Sequence, residues 1–177
     1  MLQPVEAVKT CLRKFIDFKG RARRSEYWWF YLFTVIVSWV FNFLGMIHVY
    51  ASHLGMLVGL VLMLPSWAAM TRRLHDTGHS GWWVVVQVAL LLVACGGVAT
   101  VFLPYADELL AASDNMAKAN VIMAAVEHAK QANATIPVLM AALAGIGAMI
   151  MSFIMLIVTV LDSSTRENKY GPSPKYS

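Results

Sequence analysis

Charge is scarce in this chain. Asp, Glu, Lys and Arg make up 14% of its 177 residues, against 59% apolar residues and a mean hydropathy of +0.62. A soluble domain carries about 25% charged and about 45–50% apolar residues, so water is not the only solvent of this protein. Cysteine is scarcer still: Cys11 and Cys95 are too few and too far apart for a disulfide framework or a metal knuckle. No metal and no other cofactor is expected. The opening stretch "MLQPVEAVKTCLRKFIDFKGRARR" lacks both a continuous apolar core and a small-residue cleavage site, and does not read as a secretory signal. At this length a single membrane domain, residues 1–177, is expected.

Four stretches lack charge altogether: residues 27–47, 51–70, 82–103 and 136–161 contain no Asp, Glu, Lys or Arg. Each matches the ~20 residues that a helix needs to cross roughly 30 Å of hydrocarbon. Lipid offers no partner for unpaired backbone groups, so the spans are helices and the fold class is all-α, a polytopic membrane protein. Coupled transport usually places ionisable groups at mid-membrane depth. Here the polar residues of the spans are few and neutral, Ser38, Asn42, Ser66, Gln87, Ser152 and Thr159 among them. A small channel or transporter subunit in an oligomer is therefore only a second alternative. Gly55 and Gly59 form a GxxxG, and Gly145 with Gly147 opens a small-residue face, both read as helix-packing positions. Pro65 reads as a kink and Pro137 as a helix start.

The few cations are unevenly spread. Seven precede the first span (Lys9, Arg13, Lys14, Lys19, Arg21, Arg23, Arg24), Arg72 and Arg73 lie between the second and third, and Arg166, Lys169 and Lys175 follow the fourth. The link 104–135 has only Lys118 and Lys130 against Asp107, Glu108, Asp114 and Glu127. Twelve of the fourteen basic residues thus fall on one side, which the positive-inside rule makes cytoplasmic. Both termini are expected inside and the link outside, as one or two helices resting on the outer surface. Tyr27, Trp28, Trp29, Trp67, Trp82 and Trp83 stand at span ends, as an interfacial aromatic belt does. Residues 4–18 place Val5, Val8, Leu12, Phe15 and Ile16 at helical spacing between Glu6, Lys9, Arg13 and Lys14. This is an amphipathic helix for an anionic leaflet, or one packed on the protein's own loops.

Three polar clusters share the basic side: "DFKGRARRSEYWW" (17–29), "RRLHDTGHSGWW" (72–83) and "NKYGPSP" (168–174), the last within the tail 162–177. The chain here resembles domain-of-unknown-function family 805, the YhaH-like bacterial inner-membrane proteins. The family's GRxxRxEFW signature, preceded by a phenylalanine, is matched by Phe18, Gly20, Arg21, Arg24, Glu26 and Trp28. Its RLHDxGxSGW loop is matched by Arg73, Leu74, His75, Asp76, Gly78, Ser80, Gly81 and Trp82. Its NxYGxxP tail is matched by Asn168, Tyr170, Gly171, Pro172 and Pro174. Tyr27 replaces the usual Phe, and His79 stands at a variable position. The resemblance covers nearly the whole chain and implies a four-helix domain in a bacterial inner membrane, with no established activity.

Function then rests on the residues. Arg21, Arg23, Arg24, Arg72 and Arg73 can converge, with Asp17, Glu26, Asp76 and Asp162 available to pair with them. Either they form a salt-bridge lattice tying the three clusters together, or some guanidinium groups stay free for phosphates, which their fork of donors suits. The leading expectation is a non-enzymatic protein whose basic face binds anionic lipid headgroups or a partner protein. A second copy of the chain is a further candidate partner, and no nucleic acid is expected. The first alternative is a membrane-embedded enzyme acting on a phosphate-bearing lipid, with His75 and Asp76 at its centre. His75 and His79 would share a helical face suited to a metal, but Thr77-Gly78 and Ser80-Gly81 argue for a turn. Ser80 reads as the N-cap of the third span.

Overall fold

A computed structural model describes residues 3–112, 114–131 and 135–174. It is all-α: α1 Pro4–Arg13, α2 Arg24–Gly45, α3 Val49–Asp76, α4 Trp82–Phe102, a 3-10 turn Leu103–Tyr105, α5 Ala106–Ala111, α6 Asn115–Gln131 and α7 Thr135–Val160. Among the described residues there is no strand, only a one-residue bridge between Asn168 and Gly171. Among the described residues, four helices are long and apolar enough to cross a membrane: α2, α3, the run Trp82–Ala111 that begins with α4, and α7.

The distribution of polarity is inverted relative to a soluble protein. Arg72, Arg73 and Asp76 are among the largest fully buried side chains, while Trp39, Tyr50 and Met149 are each at least three-quarters exposed. Apolar exteriors of this kind face lipid, and the polar groups find one another inside.

The chain divides into two compact units, Met1–Val84 with Met155–Ser177, and Val85–Ile154. In the first, the short turn Met46–His48 returns α2 antiparallel onto α3, and α1 packs on both. Cys11, Tyr27, Phe30 and Ala69 form the centre, with Val8, Trp28, Phe33, Leu62 and Met70 around them. Pro4 at the first position of α1 costs no helix bond, and Glu6 and Arg13 suit its two ends. Its inward residues are Ala7 and Cys11, small enough for close approach. Val5, Leu12 and, just beyond the helix, Ile16 stay exposed (63%, 40% and 71%). One edge of this amphipathic helix thus packs on the protein and another is left free.

The apolar run of the second span ends at Met70, yet α3 continues to Asp76. Hydropathy does not limit it, because its last two turns are buried among polar partners instead of lipid. The helix also runs through Pro65, where Ser66 Oγ donates to the Leu62 carbonyl (2.7 Å). It ends in a Schellman arrangement: Gly78 N donates to His75 O (3.1 Å), His79 N to Leu74 O (2.9 Å), and Gly78 takes φ +86°. His79 therefore lies beyond the helix, bonded through Nδ1 to Thr77 Oγ1 (3.0 Å). The residue before α4 is Gly81, and Ser80 Oγ accepts from Trp82 N at 3.4 Å, one position earlier than an N-cap.

In the second unit, Gly97 lets α4 and α7 approach: a Cβ there would collide with Ala141 and with the Pro137 carbonyl. Gln87 Nε2 donates to Ser152 Oγ (2.9 Å), joining the same two helices.

Candidate functional site

The polar end of the first unit is built on the last turns of α3. Adjacent residues on a helix diverge by about 100° and residues three apart share a face, so Arg72 turns away from Arg73 while Arg73 and Asp76 meet each other. Arg72 reaches the α1 segment and α2, Arg73 the end of α7, and His75 and Asp76 the 19–23 loop and the tail.

Asp76 is fully buried and receives two guanidinium groups. Arg21 Nε donates to its Oδ1 (2.9 Å), and Arg73 Nη1, one turn back on the same helix, donates to its Oδ2. Arg21 gives its remaining donors to the tail, Nη1 to the carbonyls of Arg166 (3.1 Å) and Gly171 (3.2 Å) and Nη2 to Ser164 O (2.8 Å) and Oγ (2.9 Å), with Nη2 also near the Asp76 carbonyl of α3 (3.3 Å). Arg73 Nε donates to Thr159 O (3.1 Å), and its Nη2 to Leu161 O. One carboxylate and two arginines thereby join the 19–23 loop, the end of α3 and the chain leaving α7.

Arg72 turns the other way. Its Nη1 donates to the carbonyls of Asp17 (2.5 Å) and Lys14 (3.3 Å), which end the α1 segment, and its Nη2 to Glu26 Oε1 (3.2 Å) on α2. Cys11 lies beside this pair, its Sγ 3.8 Å from Glu26 Oε1 and 3.9 Å from Arg72 Nη2. Burial, and then the Glu26 carboxylate, push the Cys11 thiol up from 9.0 to about 12, with Arg72 pulling the opposite way. Cys11 is thus a neutral, inert thiol.

His75 is packed by ring and by edge. Its ring stacks on Tyr170 (centroids 3.7 Å apart, planes at 8°), Nδ1 lies 3.2 Å from the Gly20 carbonyl, and a Cβ on Gly81 would sit 3.1 Å from Nε2. The bond to a carbonyl fixes the proton on Nδ1. Asn168 Nδ2 donates to His75 O (3.0 Å), and Ser164 N to Asp76 O (3.2 Å), so the tail supplies further donors to the last carbonyls of α3. The tail is shaped for this by a tight turn, Asn168 O accepting from Gly171 N (2.9 Å) and Asn168 Oδ1 from Tyr170 N (2.9 Å), with Gly171 at φ +120°. Gly20, at φ +78°, presents its carbonyl to His75.

A model of the family "Protein of unknown function (DUF805)" matches residues 15–172. The chain belongs to that family. It is 40% identical over 80 residues to inner membrane protein YhaH of Escherichia coli (strain K12), and 42% identical over 76 residues to inner membrane protein YhaI of the same strain. Each match takes in 42% of this chain. The chain spans just under two thirds of the length of these curated relatives, 66% and 64% respectively. No solved structure matches it. It is an integral inner-membrane protein of a family whose activity is uncharacterised.

The three sequence clusters of this family member converge on one end of α3. Of the five arginines read as anion-binding, Arg21, Arg72 and Arg73 are buried and engaged with protein groups. Arg24 is exposed and pairs loosely with Asp162 (3.7 Å), and Arg23 is half-buried at the start of α2. Glu26 and Asp76 take the roles of carboxylate partners; Asp17 contributes its carbonyl to Arg72 and its side chain to Lys19 N (3.0 Å). Trp28 donates from Nε1 to Thr159 O (3.3 Å), whereas Trp82 is 71% exposed as a belt residue would be. Pro172 follows the Asn168–Gly171 turn. No group of three or more His, Cys, Asp or Glu is arranged to hold a metal among the described residues. Thr159 and Ser164 are not read from the sequence as members of this site; both act largely through backbone carbonyls, which no side-chain pattern reports.

Proposed function

We propose that this chain is a non-enzymatic inner-membrane protein whose polar end lies in the cytoplasm with both termini and holds anionic lipid headgroups. The observation that carries this reading is a division of labour among the cations. Arg21, Arg72 and Arg73 are enclosed as a clasp, whereas Lys9, Arg13, Lys14 and Lys19 stand exposed. The exposed four lie beside Val5, Leu12 and Ile16, which are themselves uncovered. Apolar residues at the acyl boundary with cations at the phosphate level are the two attractions that seat an interfacial helix. Each such cation near an anionic leaflet is worth about 1 kcal/mol. The clasp fixes α1 in place, through Arg72 on the carbonyls of Lys14 and Asp17, so the cations meet the leaflet with little ordering left to do.

The alternative of a lipid-phosphate enzyme centred on His75 and Asp76 is not favoured by the contacts of either residue. Both Asp76 oxygens are held by arginines, and the His75 ring is stacked on Tyr170 with its Nδ1 on the Gly20 carbonyl.

Native mass spectrometry of the full chain from nanodiscs of phosphatidylglycerol and phosphatidylethanolamine tests the reading. Wild type is expected to retain phosphatidylglycerol several-fold over phosphatidylethanolamine. A Lys9→Gln/Arg13→Gln/Lys14→Gln/Lys19→Gln variant loses that preference; equal preference in the two proteins overturns the proposal.

A further inference from the structure

The second unit carries a groove that the clasp does not use. It has a volume of about 400 Å³ and is walled by Val98, Val101 and Phe102 of α4, Val138 and Leu139 of α7, and Val126 of α6. Ligand pockets are commonly about 300–1,000 Å³, mostly apolar, with a few polar groups that fix orientation. Among the described residues, the polar side chains lining it are Lys130 on α6 and Thr135 at the start of α7.

The position of the groove defines its occupant. Two walls belong to helices apolar enough to span a membrane, and the groove lies where α4 ends and α7 begins. By span length, about 20 residues for roughly 30 Å of hydrocarbon, these helix ends fall near the level of the headgroups. Gly97 lets α4 and α7 close together against Pro137 and Ala141 at the inner end. The helices therefore form a floor, and α6 supplies the third side through Val126 and Ala129. Lys130 lines the opening with its stem and keeps its ammonium out, 3.2 Å from Glu127 Oε2 in a pair exposed at both ends (69% and 61%). An exposed pair of this kind contributes little, so Lys130 can turn to another anion at small cost. An apolar slot at the membrane boundary with a cation at its mouth matches a molecule with a hydrocarbon chain and an anionic head.

We infer that this groove between α4, α6 and α7 seats one acyl chain of an anionic phospholipid, with Lys130 meeting its phosphate. The site shares no residue with the basic surface of α1 and stands or falls separately from it.

Photo-crosslinking locates the chain directly. The full-length protein is placed in nanodiscs containing phosphatidylglycerol with a diazirine near the middle of one acyl chain, and labelled peptides are sequenced. Crosslinks are expected to concentrate at Val98, Val101 and Val138. Val138→Trp, which fills the groove, lowers labelling there at least tenfold, while Leu143→Trp, on α7 outside the groove, leaves it unchanged. Lys130→Gln keeps the chain but lowers the preference for phosphatidylglycerol over a phosphatidylcholine probe several-fold. Labelling spread evenly along α4 and α7, or undiminished by Val138→Trp, overturns the inference. A free fatty-acid probe that displaces the phospholipid at equal concentration overturns its assignment to a phospholipid.

Discussion

At the scale of single residues, Asp76 has the largest consequence. Removing it leaves two guanidinium groups buried without their counter-charge, and breaking a buried pair costs about 3–5 kcal/mol. Asp76→Ala is expected to lose at least that much in thermal or denaturant unfolding, because Arg21 and Arg73 both depend on it. Arg24→Ala removes only an exposed contact and is expected to cost less than about 1 kcal/mol. Cys11 gives a second measurement. With its pKa near 12, alkylation at pH 7.5 in a Cys95→Ser chain is expected to be negligible until the fold opens. The folded state keeps the thiol proton at pH values where an unfolded thiol, with a pKa of 9.0, has released it. Its contribution to stability is therefore complete below about pH 9 and is lost as pH rises toward 12. The residue types of this site were legible in the sequence: the arginines, Glu26 and Asp76 stand out from apolar surroundings. Their assignment to one another was not, since Arg21 and Asp76 are 55 positions apart and only the fold joins them.

At the scale of elements, the spans were legible because hydropathy and length leave a helix little choice in lipid. The turn at Thr77-Gly78 was legible, but the continuation of α3 from Met70 to Asp76 was not, because its last two turns are stabilised by tertiary hydrogen bonds that leave no hydropathic trace. Gly78 marks the true end. No atom lies within 4 Å of a Cβ placed there, so substitution acts through the backbone alone. Gly78→Ala is expected to destabilise by about 1–2 kcal/mol through the left-handed conformation, read as a lowered unfolding temperature. Gly81→Ala is limited by space instead. A Cβ would lie 2.6 Å from Thr71 Cγ2 and 3.1 Å from His75 Nε2, so Thr71 must shift and the His75 ring must give slightly. Gly81→Ala is expected to destabilise by about 1–3 kcal/mol through crowding, read as a lowered unfolding temperature. The amphipathic pattern at the N-terminus was legible too, although its seam was not. Ala7 and Cys11 face the protein, and part of the apolar row read from the sequence faces away from it.

At the scale of the whole molecule, the distribution of cations is the feature most directly written in the sequence, and it carries the orientation. Single cysteines replacing Ala124 on α6 and Thr165 on the tail, in a Cys95→Ser chain, are expected to label from opposite sides of intact inner-membrane vesicles. Labelling from one side would reverse the reading of the positive-inside pattern. The central claim is that buried arginines hold the polar end together while exposed cations on and after α1 engage the leaflet. Thermal unfolding with increasing phosphatidylglycerol tests it most directly, since a ligand that binds only the folded state raises stability by mass action. Wild type is expected to gain several degrees. The Lys9→Gln/Arg13→Gln/Lys14→Gln/Lys19→Gln variant is expected to start from the same unfolding temperature without the lipid and to gain almost nothing. A variant that gains as much as wild type would contradict the account.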